Sequence, residues 1–389
     1  MKLLSIVVPT KNRKDYLFSF INMVRNFSCD DLELIIHDNS DDDSEIQDFV
    51  EKHYFSGLRY FHYSGQIDMV ENSERAIEYA EGKYVCFMGD DDVVTGTLFD
   101  YVKIMDAYGL ESSVFSIGQY DWPGVERKVH SFQSLRLDYY TKTIHKVDLE
   151  KETKKFYCEA VTRLNKMPQL YHGVIRRDKL ERIKEISGSY FPGPCPDMAV
   201  AVGLISTVKE HYYFDAPLLI SGTAPKSASG LGAKHQHKGD ISTITTLPKG
   251  TADVWDTRVP KIWTGPTIYA ETACKALTRM GKEDEIARIN LAYLYAKFYV
   301  FHHEYIDILR ATKKYNSKRF SNVDYLANII KLFVERCVCY VKNIFICKFS
   351  FRQRTWKNID DSEAASLIIE RDLGGVDWEM IKKTLEGKA

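Results

Sequence analysis

Three carboxylates in a row, Asp90-Asp91-Asp92, close the run Lys83-Tyr84-Val85-Cys86-Phe87-Met88-Gly89. Residues 84–88 read as a strand covered on both faces, because β-branched and aromatic residues follow one another without a polar break. Adjacent acids repel, and they do not enter apolar surroundings without a counter-charge. At the carboxyl end of a central strand in an open α/β sheet, where ligands bind, a divalent cation and a phosphate group would supply that charge. Asp41-Asp42-Asp43 also follows a strand, but its setting is that of a loop and a helix cap. A further acid, Asp197, stands in Phe191-Pro192-Gly193-Pro194-Cys195-Pro196-Asp197, a rigid loop running into an apolar helix. An acid so placed is commonly a cap or a partner of the helix dipole. Inverting group transfer also needs a carboxylate, one that takes a proton from an acceptor hydroxyl.

The elements that aim these residues follow from periodicity. Residues 4–8 form a β-branched strand ending at Pro9-Thr10, and Asn12 is placed to cap a helix with Tyr16, Phe20, Met23, Val24 and Phe27 on its apolar stripe. A second strand, 32–36, ends in His37-Asp38-Asn39-Ser40, and a short helix follows Asp43 or Ser44. A third strand, 58–63, leads to a helix at 69–80 that Gly82 stops, and then comes the strand to Asp90. Strands and helices alternating through short connections imply a mainly parallel sheet with helices on both faces. Such a sheet brings Thr10, Asn12, Asp38 and Asp90 to Asp92 to one crevice. No GxGxxG and no GxxxxGK[ST] occurs, so phosphate charge would be met by a metal on carboxylates.

Beyond the acid cluster, a helix is expected over 98–108 and a buried strand over 113–117. Tyr120-Asp121-Trp122-Pro123-Gly124 is either a sugar-stacking turn or a packed corner. A charged helix spans 146–164. A strand over 171–177 ends in Arg176 and Arg177, which meet phosphate or lie on the surface. Residues 212–220 read as the last strand of the first unit, and the small residues of 221–232 as a flexible loop suited to a lid. From about residue 269 the pattern turns helical, over 270–280, 284–305 and 325–346. The segment 325–354 is apolar and basic, which suits a bilayer interface, a bundle core or an oligomer seam.

Composition narrows the class. With 389 residues and a net charge of −1, the chain has no global basic field, so nucleic acid is not an expected partner. Its eight cysteines include no CxxC pair and read as reduced residues. Met1 to Val8 is too short an apolar start for a signal peptide before Pro9 and the charged residues, and no apolar run reaches the ~20 residues of a spanning helix. A cytoplasmic protein is expected, with contact to the inner face of a membrane left open.

Ser5-Ile6-Val7-Val8-Pro9-Thr10-Lys11-Asn12-Arg13, the Asp38-Asn39-Ser40 turn, and Gly82-Lys83-Tyr84-Val85 leading to Gly89-Asp90-Asp91-Asp92 together resemble the family 2 glycosyltransferases. These are inverting enzymes of the GT-A fold that use nucleotide-sugars. The resemblance spans about residues 3–120 and is traceable to about 225. It implies an α/β GT-A catalytic domain over 1–225, a linker over 226–265 and a helical C-terminal domain over 266–389. It also implies a nucleoside diphosphate-sugar donor, with uridine favoured, and a glycan or lipid-linked acceptor. Pro9, Thr10, Asn12 and Arg13 would border the nucleotide, Asp38 would accept from the base, and Asn72 would lie near the donor. Asp90 and Asp91 would hold the nucleotide-sugar, and Asp90 and Asp92 a Mn²⁺ or Mg²⁺ ion. His235 or His237 would complete the metal site, and Asp197 would be the general base. The family commonly carries an acid just before Asp38, where this chain has His37. Two other classes share the architecture: a nucleotidyltransferase, which needs a glycine-rich loop that Pro9 to Arg13 does not supply, and a non-catalytic nucleotide- or glycan-binding protein.

Overall fold

The computed structural model describes residues 2–125, 133–233, 238–349 and 353–387. Its first elements alternate as the periodicity requires: β1 (Leu4–Thr10), α1 (Lys14–Arg25), β2 (Leu32–Asp38), α2 (Ser44–Lys52), β3 (Leu58–His62), α3 (Met69–Glu78) and β4 (Tyr84–Phe87). These strands run parallel, with Thr10 level with Asp38 and Val7 level with Phe87, so their carboxyl ends share one edge. A two-residue strand, β5 (Val93–Val94), follows the acid cluster and leads to α4 (Thr97–Ala107), β6 (Ser112–Phe115), β7 (Gly118–Asp121), β8 (Ser134–Asp138), β9 (Ile144–Lys146) and α5 (Leu149–Cys158). Next come β10 (Gly173–Arg176), α6 (Arg177–Ser187), α7 (Pro196–Thr207), β11 (His211–Phe214), β12 (Leu219–Thr223) and α8 (Ala228–Ala233).

The central sheet has eight strands in the order β3-β2-β1-β4-β10-β6-β11-β9, and only β10 and β9 oppose the rest. The single strand expected over 212–220 is two strands in different sheets. Pro217 lies between them, and proline cannot donate to a ladder. β11 pairs with β6 in the central sheet, whereas β12 enters a second sheet between β7 and β5. Residues 221–223 are therefore strand, not lid. The charged helix expected over 146–164 is shortened to α5, which Asp148 caps through Lys151 N–H.

The helical half holds α9 (Gly265–Arg279), α10 (Leu291–Phe301), α11 (Ile306–Tyr315) and α12 (Asn322–Phe349). α7 explains how the two halves join. It is buried almost all round, as expected of a helix without a polar face. Ala199, Val200 and Leu204 pack with the central sheet, while Met198 and Val202 pack with α9 and α10. α12 lays Leu332 into that second core but leaves Val323, Leu326, Ile330, Phe333 and Tyr340 exposed. Among the described residues, no helix is long and apolar enough to cross a membrane.

The end of the chain is not a continuation of the helical region. β13 (Gln353–Lys357) is extended and pairs antiparallel with β8, completing the second sheet in the order β13-β8-β7-β12-β5. α13 (Ser362–Leu373) and α14 (Trp378–Leu385) pack on the first core. Ser362 Oγ lies 2.7 Å from Ser19 Oγ of α1, and Ser366 donates to Val94 O at 2.7 Å. Glu370 accepts from the N–H and O–H of Thr97 at 2.9 and 2.6 Å, which ties α13 to the start of α4.

One buried histidine gives the fold a pH signature. His211 of β11 is fully buried, its Nδ1 lies 2.7 Å from Ser112 Oγ, and burial pushes its pKa down from 6.5 to about 3. Between these values the unfolded chain binds a proton that the fold refuses, so stability falls as pH falls below 6.5. Denaturant titrations from pH 7 to 4 should show this slope, up to about 1.4 kcal/mol per pH unit for one proton, and His211→Gln should flatten it.

Candidate active site

Gly89 ends β4 in a turn that sends its three carboxylates in different directions. Asp90 accepts from the Thr10 O–H at 2.5 Å and lies 3.1 Å from Arg13 Nη1. Asp91 lies 2.8 Å from Arg13 Nη2 and accepts from Ala224 N–H at 3.1 Å. Asp92 accepts from Gly89 N–H at 2.6 Å, Gly222 N–H at 2.7 Å and His172 Nε2–H at 2.9 Å. All three are buried. Burial pushes Asp90 up to about 7 against the pull of Arg13, and it raises Asp91 in the same way. Burial opposes charge on His172, but Asp92 more than restores it and its pKa is raised. The cluster thus carries its own counter-charges, a guanidinium on one side and an imidazole on the other.

His172 was not among the expected site residues. It precedes β10 with a left-handed φ of 57°, which turns its ring toward Asp92. Sequence offers only a histidine before a glycine at a strand start, and nothing local says that this strand lies beside β4. Trp122 belongs to the packed corner: it is buried, donates from Nε1 to Asp91 O at 2.7 Å, and meets Tyr16 edge-on at 4.8 Å. Arg176 and Arg177 are spent on ion pairs with Asp178 and Glu181. His235 and His237 lie outside the described residues.

The residues at the ends of β1 and β2 form a linked set. Asp38 is fully buried; its Oδ1 accepts from Ser40 N–H and O–H at 2.8 and 2.6 Å, and its Oδ2 from Tyr60 O–H at 2.8 Å. Asn72 donates to Thr10 O at 3.2 Å and accepts from His37 Nδ1–H at 2.5 Å, so it anchors α3 to both strands. Burial lowers the pKa of His37, which leaves this position neutral where an acid is common in the resembling family. Asn12 does not cap α1. It takes φ = 56°, exchanges side-chain bonds with Asp41 at 2.8 and 3.0 Å, and donates its N–H to Ser40 Oγ at 2.7 Å. The N-cap position is Arg13, whose guanidinium has no acceptor to offer the helix N–H groups and is held by Asp90 and Asp91. Beside Arg13 opens a cavity of about 540 Å³ lined by Asn12, Lys14, Tyr16, Ser40, Asp41 and Lys226 among others. Pro9 lies within β1, one residue before Thr10.

Asp197 sits in the first turn of α7, half-buried. Its carboxylate accepts from Met198 N–H at 2.8 Å, Cys195 Sγ–H at 2.9 Å and Tyr269 O–H at 2.5 Å. His172 lies within the electrostatic reach of Asp92, Asp91 and Asp197, and it is hydrogen-bonded to Asp92 alone of the three.

Strand-end acids of this kind, opposite a lone carboxylate on a helix start, suit transfer of a group from a diphosphate. Residues 5–166 match the model of glycosyl transferase family 2. This segment is a family 2 glycosyltransferase domain. Its mixed α/β fold around a mainly parallel sheet is the GT-A architecture. Among solved structures, the chain is similar to S. aureus TarS at 16% identity and a TM-score of 0.46, covering 81% of this chain and 55% of that one. TarS 1-349 in complex with UDP-GlcNAc matches at 14% identity and a TM-score of 0.47, covering 82% and 92%. The chain thus spans about half (55%) of the longer TarS chain. No curated protein matches it.

The acid cluster at the end of β4 depends on one glycine outside the matched segment. A Cβ on Gly222 would stand 1.7 Å from Asp91 O, while its N–H holds Asp92. Gly222→Ala forces β12 or the acid turn to move, and overpacking of this kind costs about 1–3 kcal/mol or more. Its melting temperature should drop by several degrees, whereas Gly232→Ala, where a Cβ meets nothing within 4 Å, should leave it unchanged.

Proposed function

We propose that the chain transfers a sugar from a nucleoside diphosphate, with UDP favoured, to a hydroxyl of a surface glycan or lipid-linked oligosaccharide, with inversion at the anomeric carbon. The observation that carries this reading is the buried Asp90-Asp91-Asp92 cluster at the carboxyl end of β4, held by Arg13 beside an open cavity. Arg13 and the cavity beside it, which Asn12 also lines, suit the nucleotide, with Thr10, Asp38 and Asn72 hydrogen-bonded at the neighbouring strand ends.

The acid cluster fits a Mg²⁺ or Mn²⁺ ion as far as donor type goes, since both take carboxylate oxygen. Asp90 Oδ1 accepts no hydrogen bond among the described residues, although Arg13 Nη1 lies 3.1 Å from it as an ionic partner. Among the described residues, no three His, Cys, Asp or Glu side chains converge as a ligand set. A cation held by Asp90 and Asp92 therefore depends on diphosphate oxygens for its remaining ligands. When bound, it would offset the charge gathering on the departing diphosphate. Arg13 bears on the same charge from the side of Asp90 and Asp91. Asp197 takes the proton of the acceptor hydroxyl as that oxygen bonds to the sugar carbon. The bond from that carbon to the diphosphate oxygen breaks, and its electron pair leaves with the nucleotide.

The internal neutralisation of the acids by Arg13 and His172 favours a second reading, a nucleotide-binding protein without turnover. Two measurements decide. Calorimetric titration of Mn²⁺ should give little heat without UDP and a clear isotherm with it; equally tight binding in both would refute the shared site. A panel of nucleotide-sugars then identifies the donor, and Asp197→Asn is compared with the parent on it. Asparagine caps about as well as aspartate, so stability should change by well under ~1 kcal/mol. Transfer should fall on the order of 10²–10⁴-fold, because the amide cannot take the proton. Near-parental transfer by Asp197→Asn would remove Asp197 from the chemistry, and no turnover of any donor by the parent would favour the second reading.

A further inference from the structure

A carboxylate that serves as a base needs one oxygen with room for the incoming hydroxyl. At Asp197 the two oxygens are not equivalent. Oδ1 accepts from Cys195 Sγ–H at 2.9 Å and Met198 N–H at 2.8 Å, which fills its two lone pairs. Oδ2 accepts from one group only among the described residues, the Tyr269 O–H at 2.5 Å, and keeps one lone pair. Cys195 and Met198 belong to the same turn as Asp197, and both hold Oδ1. Tyr269 does not: it stands on α9, more than 70 residues along the chain, and α9 packs against α7. Among the described residues, its O–H is the only hydrogen bond of this carboxylate that comes from another element.

We infer that Tyr269 is the positioning residue for Asp197, fixing the rotation of its carboxylate so that Oδ2 is the atom that takes the acceptor's proton. The inference rests on the reading of Asp197 as the base. It gives the helical half of the chain, which lies outside the matched family segment, a direct part in the site. The phenol is suited to the task because Asp197 and burial both raise its pKa, so it stays a donor at any working pH. Burial and Asp197 likewise raise Cys195, which keeps its proton on sulfur and its bond to Oδ1. The other titratable groups that face Asp197 are Tyr171, whose pKa burial raises, and His172, which is bound to Asp92. Neither is hydrogen-bonded to the carboxylate.

The test separates the contact from the function. The full-length protein is labelled with ¹³Cγ-aspartate and titrated by NMR, and the Asp197 resonance is identified by its absence from Asp197→Asn. Losing a donor disfavours a carboxylate's charged form, so Tyr269→Phe should move the Asp197 midpoint upward. On the donor–acceptor pair used for Asp197→Asn, Tyr269→Phe should lower kcat about tenfold with KM for the donor unchanged, and move the acid limb of the kcat/KM profile upward. 3-Fluorotyrosine at position 269 keeps the ring and strengthens the donor, so it should move the midpoint and the limb downward; it also serves if Tyr269→Phe does not fold. An unmoved midpoint in both variants overturns the proposal whatever Asp197 does. A moved midpoint with unchanged kcat and unchanged limb, while Asp197→Asn is inactive, overturns the positioning role and leaves the base reading standing. A moved midpoint with active Asp197→Asn shows instead that the base reading has failed.

Discussion

Burying negative charge is the constraint around which this molecule is built. An isolated carboxylate taken out of water is penalised by several kcal/mol even after relaxation, and here three adjacent ones are buried. The fold meets that penalty from every side at once. β1 contributes the Thr10 hydroxyl, the start of α1 the Arg13 guanidinium, the approach to β10 the His172 imidazole, and β12 with its following residue two backbone amides. Remove any one and the others cannot replace it, because each acid is served from a different direction. Arg13 is accordingly spent on Asp90 and Asp91, and α1 starts without a side-chain cap because a guanidinium has no acceptor to offer it.

The same constraint accounts for the second sheet. β12 could have extended the central sheet, but there its amides would pair with a neighbouring strand and not with the acids. Crossing to lie between β7 and β5 sets Gly222 and Ala224 against Asp91 and Asp92. The sheet so formed needs a cover, which the end of the chain provides. β13 pairs with β8, and α13 holds β5 through Ser366 and the start of α4 through Glu370. Residues hundreds of positions apart thus close around the segment that follows Asp92. The rigidity of the acid turn is in this sense a property of the whole first core, not of its own sequence.

What could be read from the chain alone follows from this division. The alternation of β1 to β4 with α1 to α3 is written in local periodicity, and the acids at the end of β4 are conspicuous because their chemistry conflicts with the apolar strand before them. The partners that resolve the conflict are not local. Nothing near His172 announces a left-handed backbone or a neighbour in β4, and Gly222 sits in a small-residue stretch that reads as a flexible loop. Asn12 looked like a cap because its type suits one; its bonds to Asp41 and Ser40 depend on β1 and β2 being level at their ends. β13 was hidden for the same reason: a short polar strand, Gln353–Lys357, takes its conformation from β8 and not from its own composition. Tyr269 carried no signal at all, since a tyrosine on a helix is most often core.

The two acidic groups are held by different means, and the difference bears on what each can do. The cluster on β4 is wrapped in fixed donors and ionic partners that leave its charges little freedom, as suits a site that must wait for an ionic ligand without collapsing. Asp197 stands half-exposed at a helix start, among uncharged donors only: a thiol, an amide and a phenol. Neutral donors orient a carboxylate without placing a positive charge beside it, whereas a guanidinium beside it would favour the ionised form strongly enough to blunt its use as a base. His172, which both acidic groups reach electrostatically, is hydrogen-bonded to Asp92 and not to Asp197. On the proposed reading of Asp197 as the base, this arrangement leaves its carboxylate without a directly bonded cation among the described residues.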